Sequence, residues 1–133
     1  MTRPSPIIRV IARFAVPLSV LVAVRIFLQG HDEPGGGFIA GVLLATSGAM
    51  YMIGFGTQHA ARVSWWRIGV VGLLLSVCTG TVPLVRGEAY MDNKILHLGS
   101  FHLPTATFFD LGVMLIVLGT LMTIFVELSM ERR

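Results

Sequence analysis

Charge is what this sequence has least of. Only 13% of its 133 residues are Asp, Glu, Lys or Arg, well below the ~25% usual in a soluble domain. Apolar residues reach 54% and the mean hydropathy is +0.79. That balance excludes an ordinary water-soluble globule. Cysteine occurs once, at Cys78 inside an apolar run, so no disulfide framework can form within the chain. A small thiol packed in the core is expected there. No CxxC pair, Walker loop, GxGxxG in a strand–helix context or Ser-His-Asp set is present. Enzymatic catalysis therefore has no visible site, and neither a cofactor nor a metal is expected. The formal net charge of +3 comes largely from arginines at segment ends, which report membrane orientation and not nucleic-acid binding.

What fills the chain instead is long apolar runs. A helix that crosses a membrane needs about 20 mostly apolar residues, and four windows qualify, approximately 7–28, 37–55, 66–83 and 105–130. Backbone polar groups in lipid must be satisfied within their own segment, and none of these runs alternates as a strand would, so helices are the reading. The expected fold is all-α, one integral membrane domain over 1–133 with four transmembrane helices. Arg3, Arg9 and Arg13 precede the first run as in a signal peptide, but Arg25 and three further apolar segments follow. A retained first helix is expected. Arginines also flank the second connector (Arg62, Arg67) and close the chain (Arg132, Arg133), while the first connector carries Asp32 and Glu33. By the positive-inside rule both termini face the cytoplasm.

Pro17 removes a backbone bond near the middle of the first helix. Small residues recur at four-residue spacing, Gly37, Gly41, Ala45 and Ala49 in the second helix and Gly72, Ser76 and Gly80 in the third. Such stripes let a neighbouring helix approach closely; whether that neighbour belongs to this chain or another is open. Met50, Met52, Met114 and Met122 read as core or lipid filler.

Charge at bilayer depth is costly and persists mainly where it has a task or a partner. No acid or lysine lies at the centre of any span, and 111–126 in the fourth helix is charge-free. This chain alone therefore does not line a proton or cation path across a whole membrane. Asp110 stands near the start of the fourth helix, where the helix dipole favours a carboxylate. It is either a helix-start residue or a cation- or proton-accepting group at an outer vestibule. Pairing of Arg25 with the acids on its side of the membrane is a further option. Glu127 opposes the dipole in the last turns and has Glu131 four residues on, so a compensating cation is expected, with Arg13 one candidate; snorkelling to the interface is the plain alternative. His31, His59, His97 and His102 all fall in connectors, and with no further clustered ligand they make a poor zinc set.

The first connector is unusual. Gln29-Gly-His31-Asp32-Glu33-Pro34-Gly35-Gly36-Gly37-Phe38 packs a histidine, two acids, a proline and three glycines into one short turn. Proline bars helix at Glu33, and the glycines reach backbone angles and approaches that side chains forbid. The segment from Arg25 through Pro34, Gly35, Gly36, Gly37 and Phe38 to Gly41 resembles a G-H-N/D-x-P-G-G-G-F-x-x-G signature. That signature opens the second helix of the MnhB family, the B-type component of multisubunit Mrp-type sodium/proton antiporters. His102-Leu-Pro-Thr-Ala-Thr-Phe-Phe-Asp110-Leu-Gly112 and the helix ending in Glu127 also resemble the last helix of that family.

The resemblance implies a small subunit of a hetero-oligomeric antiporter in the cell membrane. Such a complex exchanges sodium, or another monovalent cation, for protons, with the other subunits carrying most of the ion pathway. By position it makes His31, Asp32, Glu33 and Asp110 candidates for ion access, and Arg25 and Glu127 join them on their charge and place in the chain alone. Pro34, Gly35, Gly36, Gly37, Phe38 and Gly41 form the structural turn and packing face. A self-sufficient four-helix exporter acting as a homodimer is the rival; such exporters usually need an acid deep inside a helix, which this chain lacks.

Overall fold

A computed structural model describes residues 5–30, 35–85, 95–98 and 101–131. Four helices account for most of them: α1 (Pro6–Gln29), α2 (Gly36–Phe55), α3 (Trp65–Val85) and α4 (Thr105–Glu131). Each agrees with an expected window to within about two residues, which is the ordinary fraying of helix ends. Ser5 caps α1 by accepting the Ile8 N–H, and Pro6 opens the helix where a missing donor costs nothing. Pro17 lies within α1 as expected.

Two features go beyond the sequence reading. A short 3-10 turn, Ala60–Arg62, breaks the second connector, and the indole N–H of Trp65 donates to the Ala60 carbonyl at 2.7 Å, tying the start of α3 to that turn. The third connector holds a two-stranded antiparallel hairpin, β1 (Ile95–Leu98) and β2 (Phe101–Pro104), whose register sets His97 opposite His102. The fold is therefore helical with one small hairpin.

The helices pack as α1 on α2, α2 on α4 and α4 on α3. The small-residue stripes make these contacts. A β-carbon on Gly41 would come to 2.9 Å from the Met114 carbonyl, and one on Gly72 to 2.6 Å from that of Gly112. Gly119 and Gly69 meet in the same way. So both stripes are used inside this chain, with α4 as their common partner, and they need no second polypeptide. Ala45, Met52, Ala60, Met122 and Val126 form the buried cluster, with Trp65 and Phe125 packed against it. Cys78, expected in the core, is instead exposed on α3. Its neighbours on the buried side are the small residues Ser76 and Gly80, which take the helix contact and turn the thiol outward.

Large apolar side chains cover the outside. Phe14 is 72% exposed and Leu21 68%, and only 11% of the apolar window of α1 is buried. Exposure on this scale is incompatible with water and fits lipid or partner helices. Among the described residues, α1, α2 and α4 are long and apolar enough to cross a membrane; in α3 the qualifying apolar stretch is the shorter Trp65–Thr81.

Candidate functional site

At one end of the bundle the end of α1, the start of α2 and the first turns of α4 converge. Gly35 caps α2 with φ +99°, a left-handed conformation that strains any residue with a β-carbon. Its carbonyl accepts the Ile39 N–H at 3.1 Å. Gly36 faces α1: a β-carbon there would stand 2.5 Å from the Cα of Gly30. Gly37 faces α4, and a β-carbon there would overlap the carbonyl group of Asp110. Three successive glycines thus have three separate reasons, one conformational and two steric toward different helices.

Asp110 is half-buried at this junction. Its Oδ2 lies 3.4 Å from the point where a β-carbon on Gly30 would stand. With Phe27, Gly30, Ala106 and Thr107 it lines a recess of about 10 Å³, close to the ~10–15 Å³ that admits one water. Among the described residues, Asp110 is the one charged member of that lining. The preceding residue, Phe109, accepts a hydrogen bond from the Ser76 hydroxyl at 3.4 Å, and Ser76 is 6% exposed. α3 therefore holds the same turn of α4 from the other side. The backbone of the turn that carries Asp110 is held on both flanks.

Of the residues singled out from sequence, the structure brings Asp110 together with Gly36 and Gly37. Gly41 is buried one turn further along α2, and Phe38 is exposed. Arg25 is exposed and does not line the recess. His31, Asp32, Glu33 and Pro34 lie outside the described residues, although Gly30 and Gly35 on either side are placed. Glu127 belongs to the opposite end: it stands 17 residues beyond Asp110, about 25 Å along α4 at ~1.5 Å per residue. Glu127 and Arg13 are both exposed. Sequence reasoning missed Ser76 and Gly30 as members of the junction. Ser76 read as one element of a packing stripe, and only the fold shows that its hydroxyl reaches across to α4.

A sequence profile for the domain related to the MnhB subunit of Na+/H+ antiporter matches residues 7–123. The chain belongs to the MnhB family. Among the MnhB relatives, the B subunit of the Na(+)/H(+) antiporter of Bacillus subtilis (strain 168) is 33% identical over 120 residues, covering 84% of each chain. The mnhB2 protein of Staphylococcus haemolyticus (strain JCSC1435) is 28% identical over 131 residues, covering 92% of this chain and 93% of the relative. In the structure of the Mrp complex from Dietzia sp. DQ12-45-1b, one chain is 33% identical and superposes with a TM-score of 0.79. The match covers 92% of this MnhB chain and 14% of that one, so the chain spans a small fraction of the length of that solved polypeptide.

Proposed function

We propose that this MnhB chain is a small integral-membrane subunit of a hetero-oligomeric antiporter that exchanges Na+, or another monovalent cation, for protons across the cell membrane. It is a transporter component and not an enzyme. Residues 1–133 form one membrane domain, α3 spans the membrane as α1, α2 and α4 do, and both termini are cytoplasmic. The observation that carries this reading is the glycine junction around Asp110 in a chain whose family is defined by an antiporter component. The charge-free run of α4 between its two acidic ends supports it, because a complete ion path then requires other subunits.

Asp110, with His31, Asp32 and Glu33 in the adjoining turn, lines the external approach for the exchanged ions, and Arg25 tunes the charge of that face. Pro34 and the glycines hold α1, α2 and α4 in the arrangement that presents Asp110. Glu127 serves the cytoplasmic end. Affinity purification of the tagged chain from native membranes, followed by identification of co-migrating chains, tests the reading. Antiporter subunits should co-purify, and deleting the chain should abolish cation/proton exchange in everted vesicles. The purified chain exchanging sodium for protons unaided in liposomes would overturn it in favour of the self-sufficient exporter.

A further inference from the structure

The end of the bundle opposite Asp110 carries a second feature. A cleft of about 390 Å³ opens between α1, α2 and α4, within the roughly 300–1,000 Å³ range of ligand pockets. α1 contributes Val16 and Val20, and α4 contributes Leu118 and Met122. Gly48 of α2 lets Met122 of α4 seat closely against the floor, since a β-carbon there would meet the Met122 sulphur at 2.5 Å. Two polar groups that line the interior are already engaged. The Ser47 hydroxyl donates to the Leu43 carbonyl of its own helix, and the Trp65 indole donates to Ala60. The interior therefore offers hydrocarbon and no free donor from either residue.

Polarity appears at one end only. Tyr51 and the exposed His59 stand there, beside the turn that ends in the exposed Arg62. Arg13 precedes Val16 and Val20 by three and seven residues, which puts all three on one stripe of α1. The start of α1 lies against the end of α2, as the contact of Gly54 with Ala12 shows, so Arg13 belongs to the polar end. Glu127 and Glu131, the described acids at this end of α4, are exposed. Glu127 is five residues past Met122, turned about 140° from it at ~100° per residue.

We propose that this cleft takes an acyl chain of an anionic phospholipid, whose headgroup is held by Arg13, His59 and Arg62. The charge pattern selects this occupant. An apolar trough capped at one end by cations matches a negative headgroup joined to a hydrocarbon tail, and polybasic segments attract anionic lipid. A transmembrane helix from a partner would run past the polar end and would make no use of cations gathered there. The bound lipid would fill the gap between α1 and α4, which the chain itself leaves open.

Photocrosslinking tests this on the tagged full-length chain in host membranes, together with whatever chains accompany it. The probes are phosphatidylglycerol and phosphatidylcholine carrying the same diazirine-bearing acyl chain, with adducts mapped by mass spectrometry. Adducts are expected on Val16, Val20, Leu44 or Met122, and phosphatidylglycerol should exceed phosphatidylcholine by at least about fivefold. An Arg13→Gln, Arg62→Gln double variant should lower phosphatidylglycerol labelling to the phosphatidylcholine level; both arginines are exposed, so the fold is not at stake. Equal labelling by the two lipids overturns the proposal. So does labelling of Phe14 and Leu18 on the outer face with none in the cleft, the pattern that a partner helix would leave. The readout is independent of ion exchange and stands or falls apart from the antiporter reading.

Discussion

The carbonyl group of Asp110 occupies the space that a β-carbon on Gly37 would need. One backbone contact thus couples the glycine turn to the carboxylate that the described residues place at the junction. A shift of α2 away from α4 moves the helix start and displaces Asp110 relative to Gly30 in the same step.

Two neighbouring glycines separate steric from conformational cost. Gly37→Ala must push two backbones apart, and overpacking of this kind costs about 1–3 kcal/mol or more. Gly35 has open space around its missing β-carbon but a φ of +99°, so Gly35→Ala should cost roughly 1–2 kcal/mol through backbone strain alone. Thermal unfolding in detergent, followed by a fluorescent fusion and size-exclusion chromatography, should show both variants destabilised. Only Gly37→Ala should also reduce antiport in the fraction that remains folded, because only it moves Asp110.

Asp110→Asn keeps the shape of the side chain and removes its charge. If the carboxylate accepts the arriving ion, complex assembly should be unchanged while sodium-dependent antiport in everted vesicles falls about tenfold, equivalent to about 1.4 kcal/mol. His31→Ala should likewise assemble and shift the sodium or pH dependence of exchange. Unchanged antiport in Asp110→Asn would reduce the residue to a helix-start signal.

The four helices are legible in the sequence because long apolar runs announce themselves by length and by the absence of charge. Asp110 and the glycine turn are legible as unusual chemistry in the wrong place for a plain connector. That they touch is not, since 73 residues separate Gly37 from Asp110 and no periodicity specifies which helices pair. The stripes at Gly41 and Gly72 show themselves as packing faces, but their partner can be found only in three dimensions. Cys78 misleads for the opposite reason. An apolar run in a membrane helix is apolar all round, so hydropathy cannot distinguish its lipid face from its packed one.

Ser76 offers a test of how α3 holds α4. Ser76→Ala removes the hydrogen bond to the Phe109 carbonyl, and interhelical bonds of this type in membranes are worth roughly 0.6 kcal/mol. A small loss of thermal stability is expected. Gly112→Val should be far worse, because a β-carbon at Gly112 would overlap the Ser76 hydroxyl and come to 2.8 Å from the Gly72 carbonyl. Comparable melting temperatures for the two variants would mean that α3 and α4 are not packed as described.

The single cysteine tests whether α3 is a membrane span. Cys78 is exposed on the helix surface, so in water it would react readily with a hydrophilic maleimide. In lipid a hydrophilic maleimide cannot reach the thiol, because a polar reagent is costly to bring into the hydrocarbon region. Labelling is therefore expected to be nearly absent from both sides, in intact cells and in everted vesicles, and to become complete once detergent and denaturant expose the helix. The same membranes, made with a reporter fused after Arg133, should show that reporter on the cytoplasmic side, as expected from the arginines at the start of α1 and between α2 and α3. Labelling of Cys78 from one face only would place α3 at the interface or along a water-filled passage, and the span would then have to be reassigned.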